Sequence, residues 1–216
     1  MLKKQFLCLF FFLSPLVVMA GNDDLTQAKF LINKYFGASA TMQADFIQHI
    51  FDSNYREIES MKGAFSIEKP KRFRWHYKQP YEQIFLADGI NFWTYDVDLE
   101  QVIVKPQKQF LARAQFILFF SGSELMEKFE IISTDLENEI FWIRLKSIVS
   151  QKAGDEIALG FRGNILFEIK LTDSLGQKIT INFKNLILNK TIESTVFELD
   201  FPLGTDILGK PLIPVN

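Results

Sequence analysis

The sequence predicts a mainly β, single-domain protein, an antiparallel barrel or a strongly curved sheet behind one amino-terminal helix. Three observations carry this. Apolar residues recur at every second position through most of the chain, and turn residues punctuate them at short spacing. The chain has 216 residues, one domain's worth, with no internal repeat, linker or low-complexity tract. Its aromatic content is dominated by 23 Phe, against 5 Tyr and 3 Trp. That surplus suits a curved sheet that must bury its concave face.

Residues 1–20 stand outside the fold. Lys3 and Lys4 form a basic head, residues 6–18 are almost wholly apolar, and Val18-Met19-Ala20 places small residues at the −3 and −1 sites. This is the plan of a cleaved secretory signal. The apolar run is short for a bilayer span, which needs about 20 residues. Cleavage after Ala20 leaves 196 residues, and losing two lysines and no acids takes the formal charge from −2 to −4. The single cysteine, Cys8, leaves with the signal, and Gly21 stands where a lipidated cysteine would be. The expected product is exported, unlipidated and free of thiols.

The elements follow in order. Residues 22–36 read as a helix: Asn22, Asp23 and Asp24 suit its positive end, and Leu25, Ala28, Leu31, Ile32 and Tyr35 form one stripe. From Thr41 the period becomes two. Met42, Ala44 and Phe46 alternate with Gln43, Asp45 and Ile47, and Phe65 and Ile67 with Ser66 and Glu68. In residues 72–77 three aromatics face one way, while Arg72, Arg74 and His76 face the other, giving one dry and one wet face. Asp88-Gly89 between residues 83–87 and 90–95 reads as a type I′ hairpin. Residues 99–105 return as a strand. Residues 107–129 break the pattern and read as two short helices, near 109–119 and 122–129. Strands are expected again at 139–148, 156–162, 165–171, 178–188 and 195–201, about ten in all.

Catalytic and metal signatures are sparse. No Gly-x-Ser-x-Gly string occurs, and Ser121-Gly122-Ser123 reads as a helix breaker. His49 and His76 have no partner at metal-ligand spacing, so no metal or other cofactor is expected. Asp96 and Asp98 sit where a turn would place them. A net charge of −2 offers no basic surface for nucleic acid. The positive signal is a set of aromatics able to line an apolar pocket: Phe46, Phe65, Phe73, Trp75, Phe92, Phe116 and Phe119.

Five stretches together resemble the periplasmic outer-membrane lipoprotein carrier family, LolA: Gln43-Ala44-Asp45-Phe46-Ile47-Gln48, residues 63–70, Phe73-Arg74-Trp75 with Pro80, residues 88–96, and residues 197–206 with their Pro-x-Gly turn. The resemblance implies an unclosed half-barrel with a short helical lid. It implies a cavity for the acyl chains of lipoproteins, filled by an inner-membrane ABC transporter and emptied to an outer-membrane receptor, with no stable membrane insertion and no enzymatic activity. Lys69 stands where the family often has the arginine that holds the lid shut, which makes it the expected lid latch. An exported lipase or esterase, or a lipid-sensing domain, would use the same cavity. The missing nucleophile elbow weighs against the first, and Gly21 and the chain length against the second.

Overall fold

The computed structural model describes residues 21–110, 125–148, 156–172 and 176–212. Helix α1 (Gly21–Ile32) carries Asp23 and Asp24 in its first turn, where the dipole favours negative charge. It continues as a π-helical turn (Asn33–Gly37), closed by the N–H of Ala38 on the carbonyl of Asn33. Ala28, Leu31, Ile32 and Tyr35 of the expected stripe are buried, whereas Leu25 is exposed.

Twelve strands follow among the described residues, and all join one sheet. They are β1 (Thr41–Phe51), β2 (Glu57–Glu68), β3 (Arg72–Gln79), β4 (Gln83–Asp88), β5 (Asn91–Asp96) and β6 (Gln101–Pro106), then β7 (Phe129–Glu137), β8 (Ile140–Ser147), β9 (Glu156–Arg162), β10 (Ile165–Thr172), β11 (Lys178–Leu188) and β12 (Asp206–Leu208). Their spatial order is β12-β6-β5-β4-β3-β2-β1-β11-β10-β9-β8-β7. Every pairing is antiparallel except that of β12 with β6. The terminal strands β12 and β7 do not meet, so the sheet is unclosed. It nevertheless curls: side chains from β1–β5 and from β7–β11 enter one buried cluster together with α1. The sequence reading of a mainly β, open, antiparallel architecture with an amino-terminal helix therefore holds.

Several local expectations change. Residues 129–137 form a strand where the sequence pattern shows a helix end and then nothing. β7 is an edge strand with a register shift between Ile131 and Ser133, so its alternation is broken. Residues 195–201 are not a strand: Ser194–Phe197 is a 3-10 turn, and the chain beyond it runs without ladder pairing to β12. The hairpin at Asp88 places Gly89 and Ile90, not Asp88 and Gly89, at its centre. Asp88 Oδ1 accepts from the N–H groups of Ile90 (2.8 Å) and Asn91 (2.7 Å), and Gly89 takes φ +111°, a backbone that only glycine adopts freely. Of the two lid helices, the described residues show only a short α2 (Gln107–Phe110) and α3 (Leu125–Lys128). Residues 111–124, with Phe116 and Phe119, lie outside them, as does the expected signal.

The second face of β3 is not wet. The segment around residues 192–201 crosses the convex side of β3–β6 and builds a second core from Ile84, Leu86, Trp93, Tyr95, Val102 and Val104 against Ile192 and Phe197. Arg74 Nη1 donates to the carbonyls of Val196 (3.3 Å) and Glu198 (3.0 Å), and the Arg72 guanidinium lies 4.9 Å from the centre of the Phe197 ring. Burial lowers the Arg74 pKa, with Glu82 opposing. His76 pairs with Glu82 at 2.7 Å, and burial is the main cause of its lowered pKa.

Candidate functional site: an aromatic concave face under a latched helix

The five described aromatics of the expected lining come together on the concave face. Phe46 stands on β1, Phe65 on β2, Phe73 and Trp75 on β3, and Phe92 on β5, each at most 3% exposed. Period-two alternation puts them on one side of the sheet, and the ladder sets their neighbours. Phe65 is directly opposite Trp75, and their rings stack with centroids 5.3 Å apart. Phe73 stacks on Trp75 at 6.1 Å. Ala87 separates Phe73 from Phe92 in the ladder, a small residue between two large ones.

Gly63 makes the closest approach possible. It sits opposite Phe46, and a Cβ there would lie 2.0 Å from the His76 carbonyl oxygen and 2.7 Å from Phe46 Cζ. Without that Cβ, the Phe46 ring reaches over β2 to within 4.2 Å of the Trp75 ring and 5.4 Å of the Tyr77 ring. The result is a continuous aromatic surface from β1 to β5.

Helix α1 enters the same buried cluster as these rings, and three side chains hold the turn that continues it. Tyr35 Oη donates to the Asn164 carbonyl (2.9 Å) and accepts from the N–H of Leu166 (3.1 Å), and Lys34 Nζ reaches the same carbonyl at 3.1 Å. Burial raises the Tyr35 pKa. Lys69, at the end of β2, donates from Nζ to the carbonyls of Tyr35 (3.2 Å) and Phe36 (2.8 Å). A helix end leaves such carbonyls without intrahelical partners, and a cation is favoured there. Lys69 thus grips the end of the amino-terminal helix, while residues 111–124, most of the segment that the sequence reading named as the lid, lie outside the described residues.

Partial burial pushes the Lys69 pKa down to about 8 from 10.5. The native form then binds fewer protons than the unfolded chain between these values, so stability from this group rises with pH across that window. We expect the thermal stability of the protein to gain on that of Lys69→Arg as pH increases from 8 to 10.5, because arginine stays charged throughout. Parallel melting series would check this, and two curves that run parallel would refute it.

Two grooves open at the end of the sheet where β1 finishes. One, of about 470 Å³, is lined by residues that include Phe51, Tyr55, Ile157, Lys170, Leu171 and Lys178. The other, of about 190 Å³, lies between β2 and the β3–β4 turn. Among the described residues no group of three His, Cys, Asp or Glu is placed to hold a metal ion. No described helix is long and apolar enough to cross a membrane.

An open antiparallel half-barrel with an apolar concave face defines a class by its fold alone. The match to known proteins narrows this. Residues 38–200 fit the model of the outer membrane lipoprotein carrier protein LolA, and the chain belongs to that family of non-enzymatic carriers. Curated outer-membrane lipoprotein carrier proteins are similar over most of their length. That of Legionella pneumophila is 32% identical, with 96% of this chain and 99% of the relative covered. That of Nitrosomonas europaea is 32% identical over 82% and 86%, and that of Methylococcus capsulatus 31% over 82% and 85%. Among solved structures, an uncharacterized conserved protein from Thermus thermophilus superposes with a TM-score of 0.52 at 9% identity, covering 86% of this chain and 96% of that one. This likeness concerns the fold alone.

Proposed function

We propose that this chain carries lipoproteins by taking their acyl chains onto the concave aromatic face. The observation that carries the reading is a continuous apolar surface, Phe46 to Phe92, that shares one core with a helix whose end rests on a few hydrogen bonds. Burying an acyl CH₂ is worth about 0.8 kcal/mol, so a sixteen-carbon chain left in water costs on the order of 11 kcal/mol. A lipoprotein therefore needs an apolar site for any aqueous crossing. That site must bind nearly as well as a bilayer, yet still release.

Competition between α1 and cargo for one surface meets both demands. Displacing the helix opposes binding and lowers net affinity by the free energy of docking. In this reading the protein works in the periplasm after cleavage at Ala20. It receives cargo from an inner-membrane ABC transporter and passes it to an outer-membrane receptor. Phe116 and Phe119 would extend the lining, with residues 116–120 belonging to the lid that the family resemblance implies. Mass spectrometry of the protein purified natively from the periplasm should find acylated polypeptide bound to it. Recovery with no acylated species under lipoprotein export would refute the carrier reading.

A further inference from the structure

The core-facing side of β1 reads Met42, Ala44, Phe46, Gln48 and Ile50. Four are apolar; the fifth is an amide. Gln48 is only 7% exposed, and its strand neighbours are Met61 on β2 and Ile181 on β11. Its Oε1 accepts a hydrogen bond from Tyr77 Oη at 3.0 Å. That bond points the amide oxygen at Tyr77 and leaves the two N–H groups of Nε2 with no protein partner among the described residues. Nε2 stays within reach of solvent, so its donors are open to an acceptor that arrives from the end of the sheet.

The surroundings say which acceptor fits. The 190 Å³ groove between β2 and the β3–β4 turn is lined by Met61, Tyr77, Pro80, Tyr81 and Gln83, among others. It leads from the end of the sheet to Tyr77 and to Met61, beside Gln48. In the other direction β1 runs from Gln48 to Met42 past Phe46, on the order of 20 Å of strand. A long-chain acyl group can lie along that length. Gln48 therefore stands where a dry aromatic track meets a half-polar entrance.

We propose that Gln48 anchors the linkage of the cargo, its Nε2 donating to an ester or amide carbonyl where the acyl chains join the polypeptide. This rests on the carrier reading and adds its polar contact. An acyl group cannot enter the track without bringing its carbonyl to the edge of water, and an unpaired desolvated carbonyl is disfavoured. Tyr77 is a positioning residue, since its hydroxyl fixes which end of the amide faces the cargo. Burial pushes its pKa up to about 12, so it remains a donor at any physiological pH.

The test compares two fluorescent lipopeptides that differ only in their glyceryl links, one with ester carbonyls and one with ethers. The unmutated chain should bind the ester form about two- to tenfold more tightly, the scale of one net hydrogen bond. Gln48→Met, close in volume, and Gln48→Glu, which replaces the donor by an acceptor, should each erase that preference. Tyr77→Phe keeps the Nε2 donors and should retain part of it. Equal binding of both lipopeptides by the unmutated chain overturns the anchor while leaving the carrier reading in place. So does a preference that survives in both Gln48 variants. Binding of neither lipopeptide overturns the carrier reading itself.

Discussion

Phe73→Glu should cost most of the stability of the fold. Phe73 is fully buried, stacked against Trp75, in the same core as α1. Losing the ring alone is worth about 3–5 kcal/mol. A carboxylate in that position is taken out of water, and its desolvation adds to the loss. Small domains are stable by only about 5–15 kcal/mol. Urea unfolding should show a midpoint far below that of the unmutated protein, or a chain unfolded without denaturant. A midpoint within a few tenths of a molar would mean that the side chain escapes to water, and that the concave face is open where the structure has it covered.

Lys69→Leu should accept cargo normally and hand it on poorly. Each hydrogen bond from the ammonium to a helix carbonyl is worth roughly 1.5–3 kcal/mol, toward the low end for a side chain only half-buried. Without them α1 docks less firmly, and the cargo that displaces it is held more tightly by the same amount, about tenfold per 1.4 kcal/mol. A transfer assay that scores loading and delivery separately would see the asymmetry. Delivery equal to that of the unmutated chain would show that Lys69 does not control the cover.

Much of this arrangement is legible in the alternation of β1–β3. Phe46, Phe65, Phe73 and Trp75 fall on one face because their spacing is two. The boundaries of β9 and β11 can be read from their turns for the same reason. What could not be read depends on distant chain. The arginine face of β3 looks solvated until residues 192–201 lie across it, and nothing local in Arg72 or Arg74 announces that neighbour. β7 escapes notice because a register shift breaks its period. Lys69 is identifiable as a gripping residue through the family resemblance, but which carbonyls it grips depends on where α1 lands. Gln48 carried a local signal that could have been used, as a lone amide in an otherwise apolar series at period two.

The bonds that seat α1 also set an order of events. Tyr35 meets Asn164 and Leu166, 129 and 131 residues further along the chain. A polypeptide threaded across a membrane from its amino end releases α1 first and its seat much later. Until the turn between β9 and β10 emerges, the stripe of Ala28, Leu31, Ile32 and Tyr35 has no finished surface to rest on. Contacts of such long separation form late and slowly. In the export proposed above, α1 would thus be among the last pieces to settle, leaving the aromatic face open until then. At that moment a holding chaperone, or the first cargo molecule, would find it most accessible.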